Sequence, residues 1–190
     1  MPCTDPGKEW LVSDLRNAAT RGSSGILMPI NSRAGGYSYI RNEDGFGIYG
    51  AIQTGIAVNV VYAFTTGEVW TIDAYTLESM KRSNGIPHYE GYFSQALNKY
   101  SAFLAELGIA PPYQWIAGME DTRGRGLYFP PAPGYVHISQ DPNGKCVSDS
   151  IIVKGIYTPD TETAKSSLRP FFVKMFDSCG IERPQHLDSQ

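Results

Sequence analysis

The side chains best suited to hold a ligand fall in two short stretches. Gly118-Met119-Glu120-Asp121-Thr122-Arg123-Gly124-Arg125-Gly126 joins glycines, which let backbone N–H groups come close to a ligand, to two arginines that can fork onto a carboxylate or phosphate. It lacks the Gly-x-x-x-x-Gly-Lys-Ser/Thr spacing of a phosphate loop. The same residues also read as a solvent-facing hairpin loop in which Glu120, Asp121, Arg123 and Arg125 offset one another. The second stretch holds Arg33, Tyr37, Tyr39 and Arg41. Period-two alternation puts these four on one side of an unbroken strand, where rings stack on bases and guanidinium groups meet phosphate. Against that, Gly35-Gly36 can break the register, and tyrosines on a half-buried sheet commonly pack with their hydroxyls wet. The ligand-binding residues assigned from sequence are therefore Arg33, Tyr37, Tyr39, Arg41, Arg123 and Arg125.

Catalytic chemistry finds less footing. His88-Tyr89-Glu90 places an imidazole that titrates near neutrality two residues from a carboxylate. The segment reads better as the start of a helix, with Glu90 favoured in the first turn by the dipole. His137 and His186 are far away in the chain, so a three-histidine metal site would need coincidence. No Gly-x-Ser-x-Gly elbow occurs, and Asp141-Pro142-Asn143-Gly144 reads as a turn rather than a calcium loop. Cys3, Cys146 and Cys179 are widely spaced and lack a Cys-x-x-Cys pair, which predicts free thiols, with Cys179 acting as a small buried hydrophobe. No catalytic residue, metal ligand or cofactor is assigned.

The elements that would position these groups follow from periodicity. A first helix is expected from about Pro6, capped by Asp5, with Trp10, Leu11, Leu15 and Ala18 on one face. Arg21 to Gly25 breaks it. Between Gly35 and Asp73 the pattern is strands and tight turns: Tyr37 to Ile40, a turn at Asn42-Glu43-Asp44-Gly45, then Phe46 to Tyr49, and a second hairpin of Val58–Phe64 with Val69–Ile72. Asp73 can cap a short helix through Tyr75, Leu77 and Met80. A long amphipathic helix is expected over Glu90–Leu107, with Phe93, Leu97, Tyr100, Leu104 and Leu107 as its core stripe, stopped by Gly108 and Pro111-Pro112. Tyr113–Met119 re-enters the sheet with Trp115 and Ile116 as anchors. Short extended pieces at Leu127–Phe129 and Tyr135–Ile138 precede a strand over Val147–Lys154. The last helix takes Pro170 near its first turn, buries Phe171, Phe172, Met175, Phe176 and Cys179, and stops at Gly180. The fold class so read is α+β, a mostly antiparallel sheet with helices packed on one face.

At 190 residues and 20.9 kDa the chain is sized for one domain. It divides into an N-terminal helix and connector (1–25), an α+β core (26–184) and a tail (185–190). Charged residues make up 18%, and the net charge of −3 argues against a chain whose main work is gripping phosphodiester backbone. No apolar run reaches the length of a membrane span and no signal pattern opens the chain, so no membrane association is expected and the cytoplasm is the expected compartment.

Five phrases, in order, carry a resemblance: Asn31-Ser32-Arg33-Ala34-Gly35-Gly36-Tyr37, Thr66 to Asp73, Leu107-Gly108-Ile109-Ala110-Pro111-Pro112-Tyr113, Ser167-Leu168-Arg169-Pro170-Phe171-Phe172, and Cys179-Gly180-Ile181-Glu182-Arg183-Pro184. Over about Ile30 to Pro184 the chain resembles the C-terminal region of bacterial proteins that carry a Schlafen AlbA-like nucleic-acid-binding domain at their N-terminus. The AlbA-like segment itself, with its Glu-Phe-Lys-type strand and phenylalanine-rich helix, is absent, so DNA-binding and ATP-dependent roles do not transfer. The resemblance implies an accessory domain beside a nucleic-acid-handling partner. The functional expectation is a non-catalytic binding or assembly domain whose aromatic-rich concavity or loop surface meets a protein partner, a second copy of itself or a small ligand. The alternatives are a nucleotide or nucleic-acid contact through the arginines, and a hydrolase assembled from distant residues.

Overall fold

Two hairpins in the first half of the chain build a four-stranded antiparallel sheet, because β-branched and aromatic residues alternate on either side of two tight turns. The computed structural model describes residues 8–21, 27–31, 37–51, 57–76, 83–132 and 144–189. Strands β1 (Tyr37–Asn42), β2 (Gly45–Ala51), β3 (Ala57–Phe64) and β4 (Val69–Asp73) lie in the order β1-β2-β3-β4. Glu43-Asp44 makes the first turn, and Thr65 N donates to Asp44 O at 2.8 Å, which brings the β3–β4 turn to the same end of the sheet. The hairpins fall where the sequence predicts them.

Two smaller sheets complete the α+β architecture. Strand β5 (Gly85–Ile86) pairs in parallel with β7 (Gly126–Leu127), and β6 (Tyr113–Met119) pairs antiparallel with β8 (Ile151–Tyr157). Helix α1 (Val12–Thr20) meets the four-stranded sheet at β2, while α2 (Glu90–Glu106) packs on α3 (Ala164–Ser178), and α3 covers the inner face of the β6–β8 ribbon. The core between them is aromatic: Phe103, Phe171, Phe172, Met175 and Phe176 are fully buried, with Tyr89 edge-on to Phe171 and Phe172 at 5.8 and 5.9 Å. Phe93 and Leu97 pack against that core from α2. Gly108 (φ +77°) and Gly180 (φ +69°) take the left-handed conformation just past their helices, as a glycine stop requires.

Several elements depart from the periodicity reading. Residues Lys8 to Leu11 are not helical, because Trp10 is held extended by its backbone N–H to Thr65 O (2.9 Å) and its indole Nε1 to Leu107 O (3.0 Å). The helix starts at Val12, and Leu11 is exposed rather than in the core. Helix α3 begins six residues before Pro170, at a Thr163 cap whose side chain accepts from Ser166 N at 3.1 Å. Pro170 is tolerated inside it because both Pro170 and Ser166, whose carbonyl loses its helical donor, lie on the wet side. Ile116, expected as a sheet anchor, instead points outward from the ribbon at 70% exposure, and Ile152 on the partner strand does the same at 59%. Cys146 and Cys179 are joined in a disulfide instead of standing as free thiols. Asp73 caps as expected, its Oδ1 accepting from Tyr75 N and Thr76 N. The rest of that short helix, the Asp5-Pro6 start, Cys3, His137, the Tyr135–Ile138 piece and the turn at 141–143 lie outside the described residues.

Candidate docking face

The two faces of the four-stranded sheet are both apolar, and their roles are the reverse of what side-chain size suggests. Phe46 and Ile48 face inward opposite Ala63 and Val61, so the β3 residues turned to the core are the small ones, together with Asn59. Asn59 is 1% exposed and satisfied, its Oδ1 accepting from Gly50 N at 3.0 Å and its Nδ2 donating to Asn31 O at 3.2 Å. That buried amide fixes the strand's orientation, since turning it outward would strand two backbone groups.

Tyr62, Phe64, Trp70 and Ile72 consequently face away from the core. Tyr62 meets Phe64 edge-on at 4.7 Å, and Phe64 meets Trp70 edge-on at 5.7 Å, a geometry that rings favour over face-to-face stacking. The Tyr62 ring lies across two glycines of β2: a Cβ on Gly45 would stand 2.5 Å from its Cε1, and one on Gly47 2.6 Å from its Cδ2. Its hydroxyl donates to Asp44 Oδ1 at 2.7 Å. Burial and that carboxylate push the phenol up to about 12. Trp70 and Ile72 are 61% and 66% exposed, and with the half-buried rings they form a contiguous apolar patch on the outer face.

The arginines and tyrosines singled out from sequence fall in two separate places. Tyr37, Tyr39 and Arg41 share the inward side of β1, in register with Gly50, Ile48 and Phe46. Tyr37 packs against the core, while Tyr39, which stacks on Phe46 at 5.7 Å, and Arg41 at the sheet edge are both exposed. Arg33 lies outside the described residues. Arg123 and Arg125 belong to a loop between other strands. Arg123 is exposed; Arg125 is buried, its Nε donating to Asp121 O at 2.5 Å and its Nη2 paired with the Asp121 carboxylate.

A charged cluster escaped the sequence reading altogether. Glu90 is 1% exposed and takes a two-pronged grip from Arg183, Nε to Oε1 and Nη2 to Oε2, both at 2.8 Å. Arg183 Nη1 also donates to Asp188 Oδ1 at 2.5 Å, which holds the Asp188 carboxyl below its usual range. The hydrogen bonds to Glu90 raise the Arg183 guanidinium further. His88, beside this cluster, is lowered by burial, and its Nε2 is buried without a partner. No spacing rule links positions 93 residues apart, so the sequence alone carries no sign of the pairing.

Among the described residues no group of three or more His, Cys, Asp or Glu side chains stands ready for a metal ion, and no helix is long and apolar enough to cross a membrane. No protein-family model, no curated protein and no solved structure matches this chain.

Proposed function

We propose that this chain is a non-catalytic docking or assembly domain that receives a protein partner on the outer face of β1–β4. The observation that supports it is the exposure of Trp70 and Ile72 beside rings already held in place by Phe64, Gly45 and Gly47. A side chain whose position is fixed before binding gives up little conformational entropy on association, and Trp and Tyr are the residues that most often anchor interfaces. A nucleic-acid contact at this face has less support, because stacking platforms for single strands need cations beside the rings. The outward residues of these strands, among them Ser38, Ile40, Asn42, Tyr49 and Val60, include no Lys or Arg. An accessory role beside a nucleic-acid-handling protein, which the resemblance implies, is compatible with a domain that binds the protein rather than the acid.

Site-specific photocrosslinking tests the reading. A photoreactive phenylalanine in place of Trp70 should yield a discrete adduct with one protein or with a second copy, and Ile72→Asp should abolish it. The same probe in place of Arg169, on the exposed side of α3, should yield none. Absence of any adduct at position 70, or an equal yield at both positions, would overturn the proposal.

A further inference from the structure

The occupant of this face can be specified further, and the following rests on the docking reading above. We infer that the partner segment presents arginine side chains to the Tyr62–Phe64–Trp70 rings, with a guanidinium directed at Asp44. Three features lead there. The turn end of the sheet is acidic: Asp44 and Glu43 sit in one turn and Glu68 in the other, and the two turns are tied by Thr65 N to Asp44 O. The rings present electron-rich faces, and the Tyr62 hydroxyl, by donating to the Asp44 carboxylate, aligns that ring with the acidic end of the sheet. The flanking cations are turned elsewhere: Arg41 belongs to the opposite side of β1, and Lys8 sits over the Trp10 ring at 4.9 Å.

A guanidinium fits this combination better than an ammonium. It is flat, weakly hydrated, stacks on an aromatic face and still forks onto a carboxylate in its own plane. A neutral apolar segment would use the rings but leave the carboxylate end unmatched. A nucleic acid would set phosphates against it.

Calorimetry with two defined probes decides the matter: a capped heptapeptide alternating leucine and arginine, and the same peptide with glutamine for arginine. The full chain should bind the arginine peptide about tenfold more tightly, the sum of a cation–π contact and a partly screened ion pair. Asp44→Asn with Glu68→Gln should bring the two affinities within about threefold of each other. Trp70→Ser should weaken both peptides. Equal affinities in the wild-type chain would overturn the arginine assignment while leaving the docking face standing, provided Trp70→Ser still weakens both. Binding unaffected by Trp70→Ser would remove the docking reading as well. Failure of the arginine peptide to bind at millimolar concentration overturns the assignment. So does a dT oligonucleotide that competes for Trp70, or a doubled molar mass in light scattering that Asp44→Asn abolishes, which would put a second copy there.

Discussion

Arg183 shows how much one side chain can hold when its partner has no access to water. Arg183→Ala would leave the Glu90 carboxylate buried and unpaired, which costs about 3–5 kcal/mol, whereas replacing both partners by apolar residues of similar volume costs much less. Urea unfolding of Arg183→Ala, and of Glu90→Leu with Arg183→Met, should therefore give a severe loss for the single variant and a smaller one for the double. His88 gives a pH signature with a definite sign. Burial lowers the folded imidazole below its ordinary 6.5, with Lys165 and Arg183 lowering it further and Glu90 opposing them. The unfolded chain therefore binds a proton that the folded chain resists, and stability falls as pH drops through about 6.5. Plotted against pH from 8 to 5, unfolding free energy should decline less steeply in His88→Gln than in the wild type. Asp188 adds a later acid loss, since its folded carboxyl lies below the ordinary 3.8 and its contribution disappears as pH falls through that lower value. Residue identity announced Glu90 as a first-turn acid, but its burial depends on Arg183, and pairing across the chain has no local trace.

At the scale of elements, the β6–β8 ribbon and the four-stranded sheet make opposite use of their tryptophans. Trp115 faces inward opposite Gly155, where a Cβ would overlap its ring, and its Nε1 donates to Ser167 Oγ at 2.9 Å, fastening the ribbon to α3. Gly155→Ala must push the indole aside and should cost about 1–3 kcal/mol, with the near-ultraviolet circular dichroism of the tryptophans altered. Trp70→Ser, by contrast, should change stability by no more than about 0.5 kcal/mol, because the ring it removes is already wet. A large loss on thermal melting of Trp70→Ser would show the outer face to be structural. Alternation and helical periodicity located both hairpins, α2 and the buried stripe of α3. They missed the starts of α1 and α3, where Trp10's two long-range hydrogen bonds and the Thr163 cap decide, and they do not say which face of β3 turns inward, because both faces are apolar and Asn59 alone breaks the tie.

Among the described residues, three sheets pack with a helical, aromatic centre, where periodicity alone suggests one sheet with helices on one face. The sequence reading identified α+β composition and antiparallel pairing correctly, but strand partners come from contacts between distant segments, which no window of local pattern contains. The cysteines illustrate the same limit. Cys146 and Cys179 lie 33 positions apart and are both buried, so closing that loop removes denatured-state entropy worth on the order of 3–4 kcal/mol. Denatured without reductant, the protein should take up a single alkyl group per chain by mass spectrometry, and three after reduction. Three without reductant would show the pair to be open.

The grip of Arg183 on Glu90 also sets a rule for how the chain is made. A ribosome that has just released Glu90 must add 93 more residues before the matching guanidinium exists. Until then that carboxylate keeps its water shell, and α2 cannot settle against the aromatic centre without leaving a charge unanswered. The nascent polypeptide therefore delays the docking of α2 until Arg183 has been added, and messages cut short before that codon should encode chains that stay open to proteolysis.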